Sequence, residues 1–147
     1  MKQTSHKHLS KTLQRRLIAA ANMAKVKAYA PYSNFRVGAA VLTDHGLVYS
    51  GCNVENSSYS LTICAERMAV FKALSYGHAR FKAIAITSDW DEFLPPCGAC
   101  RQVLAEFAPD ALVVLSTLSG KTRITSLSKL FPLPADLAHL RKKSKST

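Results

Sequence analysis

The sequence predicts an α/β protein with three layers, α/β/α, built around a mixed five-stranded sheet. Three observations lead there. Helical and strand-like periodicities follow the order α-β-β-α-β-α-β-β-α along the chain. Strands separated by helices call for parallel crossovers, while the leading pair of strands, joined by a short turn, adds an antiparallel pairing. The 147 residues are the size of one ordinary domain, and 48% of them are apolar, enough to fill a core between helical layers. No composition shift, repeat or low-complexity block marks a second unit, so residues 1–147 read as a single domain.

Each element has its own signal. Ser10 is placed to cap a first helix running to about Tyr29, with Leu13, Leu17, Ala20 or Ala21, Ala24 and Ala28 on one face. Pro31 is expected to end it. Residues 35–43 and 47–54 are rich in β-formers, and Asp44-His45-Gly46 between them reads as a hairpin turn. Residues 55–61 are polar and irregular. A second helix fits 64–76 and is stopped by Gly77. Residues 81–87 form an apolar strand, and a loop through Pro95-Pro96 leads to a third helix over 98–107. Strands at 112–116 and near 121–125 follow, then short helices at 126–131 and 135–142.

The formal net charge of +11 is located entirely at the ends. Residues 1–27 carry seven Lys and Arg and no acid, and residues 141–147 carry four and no acid. Between 28 and 140, nine basic and nine acidic side chains cancel. Nucleic-acid binders place basic grooves and interleaved aromatics on the fold itself. The expectation is therefore flexible, solvated basic termini at 1–9 and 141–147, with nucleic acid no partner. The apolar runs are too short to span a bilayer, and the N-terminus lacks the apolar stretch of a signal peptide. A cytoplasmic protein with reduced cysteines and no membrane partner is expected.

The four cysteines are unevenly placed. Cys97 and Cys100 form a C-x-x-C at a helix start, and Cys64 opens another helix. Helix N-termini favour anions and thiolates. Structural zinc sites use four protein ligands, whereas catalytic ones leave a position open. Three thiols from two helix starts suit the open kind. Cys52, within a strand-like segment, reads as a small buried apolar residue and not as a fourth ligand. The histidines His6, His8, His45, His78 and His139 fall in termini and loops without ligand spacing to the cysteines.

Glu66 stands two residues beyond Cys64. By itself it reads as a first-turn complement to the helix dipole. The joint pattern T-I-C-A-E-R at 62–67 and P-C-G-A-C-R-Q at 96–102 gives it a different task. A C-x-E with a downstream P-C-x-x-C pairs zinc-activated water with a non-ligand glutamate that moves protons.

These blocks resemble those of the small zinc-dependent cytidine deaminases. So do P-Y-S-N-F at 31–35 with V-G-A-A at 37–40, and G-C-N-V-E-N at 51–56. The likeness runs from about Ser10 to Leu137. It implies the cytidine deaminase fold and hydrolytic deamination of cytidine and 2′-deoxycytidine, a reaction of pyrimidine salvage. It implies one Zn²⁺ per chain on Cys64, Cys97 and Cys100, with Glu66 as the proton shuttle. The backbone at Ala65 resembles the acceptor for the exocyclic amine, Asn53 and Glu55 the pair holding the ribose 3′-hydroxyl, and Phe35 the aromatic wall beside the pyrimidine. Tyr32 and Tyr59 stand where the family has residues near subunit boundaries, which implies a homotetramer. The family's C-terminal aromatic, which reaches a neighbouring pocket, has Phe131 and Leu133 as its candidate counterparts in a shortened segment.

Read as residues alone, Phe35 is equally a core aromatic, and Asn53 and Glu55 are equally turn residues. Arg67 reads either as a solvent-facing helix arginine or as the positive charge that offsets a three-thiolate zinc centre. Competing functions are a blasticidin-type deaminase, a nucleic-acid deaminase and a zinc-stabilised basic binding module. The nucleic-acid enzymes resemble this pattern with His as first ligand, and the binding module leaves Glu66 without a task.

Overall fold

The computed structural model describes residues 8–137. In chain order these form helix α1 (Lys11–Lys25), strands β1 (Val37–Thr43) and β2 (Val48–Cys52), a 3₁₀ turn at Tyr59–Leu61 and helix α2 (Ala65–Ser75). Strand β3 (Phe81–Ser88), helix α3 (Gly98–Phe107), strands β4 (Leu112–Ser116) and β5 (Thr122–Ser126), and the single-turn helix α4 (Leu127–Leu130) complete the series. Of the helix expected at 135–142, residues 135–137 are irregular and the remainder lies outside the described residues.

The strands make one mixed sheet in the order β2-β1-β3-β4-β5. β1 pairs antiparallel with both β2 and β3, β3 pairs parallel with β4, and β4 pairs antiparallel with β5. Two antiparallel steps restore direction, so β2, β3 and β4 all run the same way. The helices that follow β2 and β3 therefore begin at the same end of the sheet. That end is where ligands collect in α/β proteins, because helix N-termini and connecting loops converge there.

Alternation along the strands divides the core. Val37, Ala39 and Val41 of β1, with Ile84, Ile86, Val113 and Leu115, pack against Ala65, Ala69, Val70 and Leu104 of α2 and α3. Ala40, Leu42, Ala83, Ala85 and Val114 point to the other face and meet Leu17 and Ala21 of α1. This is the expected three-layer α/β/α arrangement. Leu9, just before the helix, is buried in the α1-side cluster, so the solvated terminus expected at 1–9 does not extend to it; residues 1–7 and 141–147 lie outside the described residues.

Both helical layers sit close to the sheet because glycines permit it. A methyl group on Gly38 would lie 2.0 Å from the Ala21 carbonyl oxygen, and one on Gly51 would lie 2.6 Å from the Ala69 amide nitrogen. Only hydrogen fits at either place.

Ser10 caps α1 as expected, its Oγ accepting from the Leu13 amide at 3.2 Å. The helix ends at Lys25, well before Tyr29 and Pro31. The reason is tertiary: the Tyr29 amide donates to the Asn53 carbonyl at 3.0 Å, and the Glu55 amide donates to the Tyr29 carbonyl at 2.8 Å. Those backbone groups serve a bridge to the segment after β2, so they cannot also serve a helix. Lys25 fixes the end by donating from Nζ to the Ser88 carbonyl at 2.9 Å.

Candidate active site

Cysteines occupy the starts of two helices at one end of the sheet. Cys64 is the N-cap of α2, Cys97 the N-cap of α3, and Cys100 lies in the first turn of α3. Neither N-cap sulfur bonds the backbone of its own helix. The three Sγ atoms lie within 4.8 Å of one another, and Cys64 and Cys97 are 3.9 Å apart. Tetrahedral zinc with bonds of about 2.3 Å places its sulfurs about 3.8 Å apart, so the spacing fits. Among the described residues this is the one group of three or more His, Cys, Asp or Glu able to hold an ion. Cys52 is not in it.

The chemistry of the donor set fits a cation as well. The hydrogen bond with Cys100 draws the Cys64 thiol down to about 5; burial opposes the shift, and the Arg67 guanidinium adds to it. The same bond to Cys64, together with burial, pushes the Cys100 thiol up. Three sulfurs packed this tightly cannot all carry charge unless a cation sits among them. Zn²⁺ held by Cys64, Cys97 and Cys100 meets that requirement and leaves a fourth vertex without a protein ligand.

Arg67 reaches back one helical turn from the third position of α2. Its Nη2 donates to Cys64 Sγ at 3.5 Å and to the Thr62 carbonyl at 3.4 Å. The bond to Cys64 raises its pKa further. Its Nε is buried with no hydrogen-bond partner. A solvent-facing arginine is therefore not what the fold presents, and the guanidinium stands beside the sulfur cluster.

Glu66 is 5% exposed and lines a cleft of about 220 Å³. Burial pushes its carboxyl up to about 7, its own backbone amide opposes, and the neighbouring Cys64 charge adds to the rise. A carboxyl poised near neutrality can both take and give a proton at physiological pH. Cys64, Cys97 and the fully buried Ala65 share this cleft with it.

The opposite wall comes from the turn after α1 and the end of β2. Asn34 adopts φ 53°, a left-handed conformation that asparagine tolerates, and the turn delivers Phe35 to the cleft. Asn53 and Glu55 also line it, and both brace this turn. Asn53 Oδ1 accepts from the Val37 amide at 2.8 Å, and its Nδ2 donates to the Phe35 carbonyl at 2.9 Å. Glu55 Oε2 accepts from the Tyr32 and Ser33 amides at 2.9 and 3.2 Å, and Oε1 accepts from the Ser33 hydroxyl. Burial works to raise the Glu55 pKa, but these hydrogen bonds bring it below its ordinary value.

All nine site residues expected from the sequence thus lie at one end of the sheet. Sequence reasoning missed the bracing roles of Asn53 and Glu55, and with them Ser33. It also missed Leu94, Pro95 and Thr62, which with Val37 and Tyr59 complete the cleft lining. The Thr62 hydroxyl is buried without a partner. The diproline before Cys97 was the available signal for Leu94 and Pro95. Phe131 is half-buried and Leu133 is exposed. His8 and His45 are exposed, and His45 and His78 contact each other away from the cysteines, with ring centroids 6.2 Å apart. His6 and His139 lie outside the described residues.

Comparison with known proteins points to one family. Residues 11–116 match the family model of the cytidine and deoxycytidylate deaminase zinc-binding region. A cytidine deaminase of Sporosarcina psychrophila is 51% identical over 118 residues, covering 80% of this chain and 87% of that protein. The crystal structure of cytidine deaminase from Burkholderia pseudomallei superimposes with a TM-score of 0.80 at 48% identity, over 86% of this chain and 100% of that one. A blasticidin-S deaminase from Bacillus cereus is more distant, 32% identical over 105 residues and covering 66% of this chain and 74% of that protein. With its three cysteines gathered at two helix starts and its matched region running from α1 through β4, the chain belongs to the cytidine and deoxycytidylate deaminase family.

Proposed function

We propose that this chain hydrolyses cytidine and 2′-deoxycytidine to uridine and 2′-deoxyuridine with release of ammonia, as a cytoplasmic enzyme of pyrimidine salvage. The observation that carries the reading is the three-cysteine cluster sharing one cleft with buried Glu66. When bound, zinc supplies the Lewis acidity that lets water give up a proton near neutral pH. Glu66 takes that proton and delivers it to pyrimidine N3 as the water oxygen bonds to C4. It then carries the remaining hydroxyl proton to the exocyclic nitrogen, and the C4–N bond breaks to release ammonia. The backbone at Ala65 borders the exocyclic amine, Phe35 stacks beside the ring, and Arg67 offsets the thiolate charge.

Asn53 and Glu55 retain hydrogen-bonding capacity beyond their bracing bonds: the second Nδ2 proton of Asn53, and free lone pairs on the Glu55 carboxylate. A ribose 3′-hydroxyl can accept from the first and donate to the second. Exposed Tyr29, Tyr32, Tyr59 and Leu61 near the cleft support a homotetramer whose sites lie near subunit boundaries. Tyr32 and Tyr59 meet edge to face with centroids 6.4 Å apart.

The test is a deamination assay on zinc-loaded protein with cytidine, deoxycytidine, free cytosine and blasticidin S. Turnover of both nucleosides well above that of free cytosine is expected. Preferential turnover of blasticidin S, or of no nucleoside, defeats the proposal, and equal efficiency on cytosine defeats the sugar contacts.

A further inference from the structure

The indole of Trp90 lies against Phe35, with ring centroids 4.7 Å apart and planes tilted by 47°. It is the single tryptophan of the sequence and is 53% exposed. Core packing therefore does not account for its position. Phe35 is among the residues lining the cleft and Trp90 is not.

The backbone that carries Trp90 is held without help from the indole. The Trp90 amide donates to Ser88 Oγ at 3.2 Å, and its carbonyl accepts from the Leu118 amide at 2.8 Å. The preceding residue, Asp89, is clamped to Arg36, the neighbour of Phe35. Arg36 donates to Asp89 Oδ2 from its amide at 3.2 Å and from Nε at 2.9 Å, and the Asp89 amide donates to the Arg36 carbonyl at 3.2 Å. Lys25 Nζ lies 3.6 Å from Asp89 Oδ1. On the other side, Asp91 Oδ1 accepts from the Ser119 amide at 3.0 Å. Two segments far apart in sequence are thus riveted together, and the two rings meet across the joint.

We propose that Trp90 is a positioning residue for the pyrimidine wall: it backs the Phe35 ring and holds it at the angle that sets the width of the slot. This rests on the reading of Phe35 as the residue that faces the substrate ring. Phe35 follows a left-handed turn and is only partly buried; the core cluster on the α2 and α3 side supports part of its ring, and Trp90 is the aromatic that contacts it. Without Trp90, substrate binding has to immobilise that ring, and affinity falls while the chemistry at Glu66 is untouched. Aromatic pairs of this kind couple by roughly two- to twelvefold in an equilibrium constant.

The experiment compares steady-state kinetics on cytidine for the zinc-loaded full chain and its Trp90→Ala and Trp90→Phe variants, alone and in a Phe35→Ala background. Trp90→Ala should raise KM roughly three- to tenfold with kcat within about twofold, the pattern of lost ground-state binding. Trp90→Phe should bring KM back to within about twofold of wild type. In the Phe35→Ala background, Trp90→Ala should have no further effect, because the ring it supports is gone. If Trp90→Ala does not fold, Trp90→Leu, apolar but without a ring face, takes its place. An unchanged KM in the alanine variant, or an equal KM effect with Phe35 absent, overturns the inference alone. A wild-type chain that does not deaminate cytidine overturns the functional reading, and this one with it.

Discussion

Glu66 carries the sharpest consequences at the scale of single residues. Glu66→Gln keeps the shape of the side chain and the three thiols, so zinc content should be unchanged. Activity should fall by several orders of magnitude, since one proton transfer alone is worth about 10²–10⁴ and this residue makes more than one. A rate within tenfold of wild type would remove Glu66 from the mechanism. A second readout uses the metal-free protein. Its Glu66 pKa is raised from 4.5 to about 7 by burial. Between those values the folded state holds a proton that the unfolded state has released, so the group costs stability progressively as pH rises through the window. Metal-free Glu66→Gln should therefore match metal-free wild type at pH 4 and exceed it by about 3 kcal/mol at pH 8, as read by urea unfolding. A difference that does not change with pH would contradict the burial argument. Arg67 supplies a third test. Three thiolates on Zn²⁺ would leave a net negative centre that resists deprotonation of water, and the role proposed for the guanidinium bonded to Cys64 is to offset it. Arg67→Ala should bind zinc more weakly and shift the pH–rate profile to higher pH, and Arg67→Gln should do so less. Identical profiles and zinc contents in all three proteins would leave Arg67 without an electrostatic role.

Among the elements, α2 decides the site, because its first turn carries Cys64, Glu66 and Arg67 together. Its seat on β2 depends on Gly51, where an added methyl would meet the Ala69 amide nitrogen at 2.6 Å and the Ala65 carbonyl oxygen at 2.9 Å. Backbone atoms cannot step aside as a flexible side chain can, so Gly51→Ala must push the helix start away from the sheet. The expected cost is about 1–3 kcal/mol of stability, with weaker zinc retention in a chelator competition. Gly98 opens α3 between two ligands, yet nothing lies within 4 Å of a Cβ placed there. Gly98→Ala should be neutral or slightly stabilising, as helix propensity favours alanine. If the two substitutions behave alike, close approach of α2 is not what holds the site.

The whole molecule presents exposed apolar side chains around the cleft together with a net charge of +11. Like-charged copies repel, so an assembly held by apolar faces should be strengthened or unaffected by salt, which screens the repulsion. Light scattering should report four copies of the 16.1 kDa chain. A monomer with full activity would dismiss the tetramer, and an assembly that dissolves in salt would point to ionic contacts instead.

Much of the site was legible in sequence because its parts are local. Cys64, Glu66 and Arg67 follow one helix start, Cys97 and Cys100 another, and helical geometry brings each set to a helix N-terminus without outside help. The boundaries of α3 and β4 were legible for the same reason, as turn and proline signals flank them. What only the tertiary structure decided involves partners distant in sequence. The first helix stops at Lys25 because Tyr29 pairs with the segment after β2, a competition invisible to helical periodicity. β1 lies between β2 and β3, and this alone makes α2 and α3 start at the same end of the sheet. Glu55 spends its carboxylate on a turn more than twenty residues earlier, and Trp90 meets Phe35 across a clamp between two loops. Local patterns determine which groups a segment can offer; the closing of the sheet determines which of them meet.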